Sequence, residues 1–139
     1  MTKEFIYNFI LQRKLAVLST VSSEHIPESA LVGIAAAPDL KIIFDTVSDF
    51  RKCKNLMLNS NISFVIGWDN KQTIQYKGIA KIPENAELED LLQIYFDVFP
   101  DGRDRRQNWK NIVYFCVEPK WIRYSNFNKA THHIDEMRF

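Results

Sequence analysis

The first thirteen positions carry Phe5, Ile6, Phe9 and Ile10 on one helical face, with Thr2 placed to cap and Arg13 and Lys14 at the favourable end of the dipole, and so predict a helix over 2–13. From Leu15 the period changes to that of a strand. LAVLSTV is rich in β-branched residues, and Leu40, Ile42 and Phe44 alternate with Lys41 and Ile43. The apolar run 29–37, bracketed by Pro27 and Pro38, reads as a strand buried on both sides. A second helix is predicted over 49–59, capped by Ser48 or Asp49, with Phe50, Cys53, Leu56 and Met57 at helical spacing. Two long strands follow. Ile62, Phe64, Ile66 and Trp68 form the first and Ile74, Tyr76, Gly78, Ala80 and Ile82 the second, joined by turn residues 69–71. Leu88, Leu91, Leu92, Tyr95, Phe96 and Phe99 then predict a helix over 85–99, stopped by Pro100-Asp101-Gly102. A charged loop, GRDRRQ, leads to two last strands, 112–117 and 121–127, on either side of a Glu118-Pro119 turn. About seven strands with three inserted helices make a mainly β protein, an antiparallel barrel with peripheral α-helices.

A length of 139 residues fits one domain, expected over 1–128 with a polar tail over 129–139. The formal charge of +1 provides no broad basic field, so nucleic acid is not an expected partner. No apolar run approaches the roughly 20 residues of a membrane span, and the first residues do not read as a signal peptide. A cytoplasmic protein without membrane contact is expected. Aromatic residues are 13% of the chain but glycines number only 4, too few for a Gly-rich phosphate loop, which weighs against kinase, GTPase and Rossmann folds. Cys53 and Cys116 form no CxxC, and His25, His132 and His133 form no metal-binding spacing, so no metal site is expected.

The chemistry concentrates at the start of the second helix. Arg51, Lys52 and Lys54 stand where the helix dipole is positive, each unfavourable by about 0.3–1 kcal/mol. Two readings are open. A phosphate held by free amides, by hydroxyls of Thr46 and Ser48, and by Arg51 and Lys52 would compensate. The other is a solvated basic turn, partly neutralised by Asp45 and Asp49.

Residues 19–52, STVSSEHIPESALVGIAAAPDLKIIFDTVSDFRK, resemble the N-terminal half of the pyridoxamine 5'-phosphate oxidase family of FMN-binding split β-barrels. Phe44, Thr46, Arg51 and Lys52 fall on its F-Y-T-N-x-x-S-R-K motif. Thr20-Val21 and Pro27 keep register with the preceding strand, and Gly78 matches the glycine of a later one. The resemblance implies a Greek-key split barrel that pairs as a homodimer, with FMN at the subunit interface. It assigns the flavin phosphate to Thr46, Arg51 and Lys52 with Asp45 beside them, and the ring to backbone groups of Leu31, Val32 and Gly33. A later contact falls on Thr73 or Gln72. Trp109, after the polar loop, is a candidate cover for the pocket, while Arg103, Arg105 and Arg106 read as surface. An FMN-dependent oxidoreductase acting on a small molecule or NAD(P)H is the leading expectation; a flavin- or haem-binding carrier or sensor on the same fold is the alternative. Two cations on the family's substrate side are replaced here by Ala35 and Phe99, and an Arg assisting the FMN phosphate by Ala30. The flavin site is therefore expected without pyridoxamine phosphate oxidation.

Overall fold

Period-two alternation places one face of each strand in a common core. The computed structural model describes residues 1–128 and 133–139. Its strands are β1 (Leu15–Val21), β2 (Pro27–Gly33), β3 (Ala35–Ala36), β4 (Ile42–Val47), β5 (Asn61–Ile66), β6 (Gln72–Lys81), β7 (Ile112–Asn126) and β8 (His133–Arg138). The helices are α1 (Lys3–Leu11), α2 (Arg51–Leu58), α3 (Asn85–Val98) and α4 (Gly102–Asn108). All pairings are antiparallel, in the order β2-β1-β5-β6-β7-β4-β3, with β8 also on β7. The two ends of this path, β2 and β3, are separated in the chain by Ile34 alone. Two residue steps span at most about 7 Å, so the sheet must curl until its ends meet at that corner.

Inside the curl lie Leu18, Ile42, Phe44, Phe64, Ile74, Tyr76, Phe115 and Ile122, with α1 closing one opening through Ile6, Phe9 and Ile10. The Tyr76 hydroxyl sits 2.8 Å from the Leu40 carbonyl and 3.1 Å from that of Val117, which satisfies the one polar atom of a fully buried ring. A second cluster joins the other face of β4 and β7 (Ile43, Tyr114, Cys116) to Leu91, Leu92, Tyr95 and Phe96 of α3. That is why both alternating sets in β4 are apolar.

Several expectations are corrected. The run 29–37 is not one doubly buried strand. As an edge strand paired only to β1, β2 leaves Leu31 62% exposed, and burial becomes continuous only over 34–37. Residues 112–126 form one strand, not two around a turn, because β6 runs unbroken beside them. Pro119 has no N–H to give the ladder, and the register slips there: Lys77 faces Trp121 but Gly78 faces Pro119, a bulge that leaves Lys120 extra. GRDRRQ is helical, begun after Pro100 and fastened by Arg105 to Asp101 at 2.6 Å and by Arg106 to Glu89 at 2.6 Å. The cap of α2 is Phe50, not Ser48 or Asp49. Within the expected tail, residues 133–138 pair with Trp121–Asn126 as β8, so the domain continues past 128; His132 and the rest of 129–132 lie outside the described residues. Thr2 caps α1 as expected, accepting from the Phe5 amide at 3.1 Å.

Candidate functional site

Strand β4 ends at the barrel mouth and the chain turns at once into α2, whose first turn has no side-chain cap and no acidic residue. Beside it opens a cleft of about 520 Å³ lined by Thr20, Glu28, Ser29, Ala30, Asp49, Phe50, Arg51 and Lys52. Lys52 is half-buried, its ammonium 4.7 Å from the Phe50 ring centre. Burial lowers its pKa, an effect that Asp45 partly offsets. The Thr46 hydroxyl, on a residue only 4% exposed, has no hydrogen-bond partner among the described residues. A buried hydroxyl left unpaired costs about 1–3 kcal/mol. The partly desolvated cation and the uncapped helix start line one cleft and are donors that suit a phosphate monoester, whereas Thr46 is buried at the end of β4 and is not among the lining residues.

Thr46→Val tests whether that hydroxyl serves the phosphate. Removing the unpaired hydroxyl at constant shape should leave the ligand-free protein equally stable or more stable in thermal melts, and weaken FMN about tenfold by the loss of one bond to an anion. A destabilised variant with unchanged FMN affinity contradicts it.

The other expected residues divide into groups. Ser48 is exposed beside the helix start, its amide donating to the Asn111 carbonyl at 2.9 Å. Arg51 extends into solvent, 86% exposed, and meets Glu28 at 3.4 Å. Asp45 is not among the residues lining the cleft, and its carboxylate takes two bonds from Arg105, at 3.0 and 3.3 Å. Arg105 therefore fastens α4 over β4. Burial, reinforced by Asp45, also raises the pKa of the neighbouring Tyr95 phenol. Val32 is buried, while Gly33 lies so close to the Phe99 ring that an added Cβ would come within 2.9 Å of it. Trp109 follows α4 as its C-cap, half exposed, and does not line the cleft.

Gln72 and Thr73 open β6, whereas Thr46 pairs with Val113, beyond the last residue of β6. One chain therefore keeps these two groups at opposite ends of a strand. The Gln72 side chain accepts from the Tyr124 hydroxyl at 2.8 Å, and the Thr73 hydroxyl is another buried atom without a partner among the described residues.

Sequence reasoning missed Glu28 and its supports. The Asn55 amide donates to Glu28 at 2.8 Å and to Thr20 at 3.0 Å, with both Asn55 and Thr20 buried. The available signal was a Thr and a Glu paired across β1 and β2 with an Asn one helical turn after the basic pair.

Among the described residues no group of three or more His, Cys, Asp or Glu side chains could hold a metal, and no helix is long and apolar enough to cross a membrane.

An antiparallel sheet curled into a half-barrel, with peripheral helices, defines a split β-barrel as the class of fold. The chain belongs to the pyridoxamine 5'-phosphate oxidase family, whose profile matches residues 2–126. No curated protein matches it in sequence. Among solved structures it is similar to a haem-binding protein from Mycobacterium smegmatis, with a TM-score of 0.83 and 14% identity. That match takes in 99% of this chain and 58% of the other, so this chain spans little more than half of that protein. It is similar as well to a pyridoxamine 5'-phosphate oxidase-related, FMN-binding protein from Nostoc punctiforme (TM-score 0.72, 10% identity, 100% and 97% covered). A haem storage protein from Vibrio cholerae has a TM-score of 0.70 at 17% identity, with 84% and 89% covered. At these identities the likeness is one of fold.

Proposed function

We propose that the protein binds FMN without a covalent link and acts as a flavin-dependent oxidoreductase of the pyridoxamine 5'-phosphate oxidase-related type, as a cytoplasmic homodimer. The observation that carries this is the cleft at the start of α2, where Lys52, without a direct ion pair among the described residues, lines the cavity beside an uncapped helix. Lys52, Thr46 and the first amides of α2 hold the phosphate, with Ser48 and Arg51 at the rim. Backbone groups of Leu31, Val32 and Gly33 on the edge strand β2 serve the ring. Bound FMN supplies hydride acceptance and donation, and the protein supplies position and electrostatics.

Two features support a pair. The separation of Gln72 and Thr73 from the cleft is removed if those residues reach the flavin from a second copy. The outer face of the sheet also presents Leu31, Val17 and Val65 in one register row, with Leu31 62% and Val65 39% exposed.

Pyridoxamine phosphate is not the substrate in this reading. Ala35 is buried between β4 and α3, and Phe99 covers Gly33, where the family resemblance called for cations. Each missing charge-assisted bond is worth about 1.5–3 kcal/mol.

Haem carriage is the second reading, favoured by the likeness to haem-binding and haem-storage proteins. The described lining of the cleft contains no His, Cys or Met to ligate iron, which favours flavin. Absorption spectra of the purified protein, taken before and after adding each cofactor, separate the two. Flavin bands that bleach on mixing with NADH or NADPH support an oxidoreductase. A Soret band, or protein that FMN cannot colour, contradicts it.

A further inference from the structure

Glu28 stands on a boundary. On one side is the cleft at the start of α2; on the other is a second cavity of about 510 Å³, lined in part by Ser22, Ser23, Lys54 and Leu58. Glu28 and Arg51 line both, and their ion pair at 3.4 Å crosses between them. The carboxylate is held from behind, since the buried Asn55 spends both of its amide hydrogens on Glu28 and Thr20. A negative charge is thus fixed at the rim of a cradle built for a negative ligand. For phosphate binding alone that is a cost.

We propose that Glu28 is a specificity-determining residue that confines the site to a terminal phosphate: it rejects flavins whose phosphate is extended by a second one, as in FAD. The inference rests on the flavin reading above. A phosphate on the α2 amides and Lys52 has the Glu28–Arg51 pair next to it. A pyrophosphate continuing toward the second cavity would bring its second anion against the carboxylate and would have to part the pair. A terminal phosphate ends before it. Like charges held close together are an effective means of excluding a wrong ligand.

The test is equilibrium titration of FMN and FAD into wild type, Glu28→Ala and Glu28→Gln, each checked for folding by thermal melt. Wild type should prefer FMN at least tenfold. Glu28→Ala, which removes charge and bulk, should reduce that preference about tenfold by gaining affinity for FAD. Glu28→Gln keeps an acceptor for Asn55 and should show a smaller change in the same direction, so the outcome remains readable if the alanine variant folds poorly. Equal binding of both flavins by wild type, or an unchanged preference in the variants that fold, overturns the role of Glu28 and leaves the FMN reading standing. Failure of wild type to bind either flavin overturns both.

Discussion

Lys52→Ala should weaken FMN binding by about 10- to 150-fold, the range set by one charge-assisted bond of about 1.5–3 kcal/mol. Lys52 is half-buried with its pKa lowered chiefly by desolvation, so an arriving phosphate gains a cation that water screens poorly. Arg51→Ala should cost less than about fivefold, because a group 86% exposed and shared with Glu28 behaves as a surface charge. The double variant should lose the most and still fold. The pH profile adds an independent check. A lysine with a lowered pKa gives up its proton below the ordinary 10.5, so wild-type affinity should fall as pH rises into that range, whereas Lys52→Ala should lack that phase. Unchanged affinity in the double variant, measured by equilibrium titration, contradicts the assignment of the cradle.

Gly78→Ala should destabilise the fold by about 3 kcal/mol, lowering Tm by roughly 10 °C. A Cβ at Gly78 would lie 2.4 Å from the Glu118 carbonyl oxygen and 2.6 Å from a Val117 methyl. The closer of these atoms is backbone, inside the bulge where β7 passes Pro119, so it cannot swing away as a surface side chain would. Moving it would disturb the register that carries β7 from β6 onto β4. A melting temperature within a degree or two of wild type would show that the bulge absorbs the methyl group.

The parts of this fold legible in the sequence are those where one periodicity dominates. Helix α1 with its Thr2 cap, the alternation of β5 and β6, and the apolar face of α3 were all readable because a single neighbouring surface sets each pattern. Where two surfaces compete, the pattern misleads. Residues 29–37 look uniformly apolar, but Ala35 lies beneath α3 and Ala36 in the barrel core whereas Leu31 lies on an open edge, a difference set by tertiary neighbours. Pro119 suggested a turn because its missing N–H is a local fact, while the unbroken partner strand that accommodates it is distant in the chain. GRDRRQ looked like a loop because nothing in its composition announces Asp45 and Glu89, the acids that hold Arg105 and Arg106 from other elements.

The candidate site shows the same division. Arg51 and Lys52 stand out as candidates because they are adjacent and their charges oppose the helix dipole, and Thr46 because it precedes the same helix start. Glu28 was not, since its meaning depends on Asn55, 27 residues away, and on two cavities that meet at its carboxylate. Nor could the sequence show that Asp45 is taken by Arg105, because the pairing crosses 60 residues.

The central claim is that a phosphate cradle at the start of α2 anchors the flavin. Parallel equilibrium titrations with FMN and riboflavin, which share a ring and differ in the phosphate, test it most directly. FMN should bind saturably at one per chain and riboflavin at least about 100-fold more weakly, as the loss of a charge-assisted set of bonds requires. Equal affinity for the two, or no saturable binding of FMN, would contradict it.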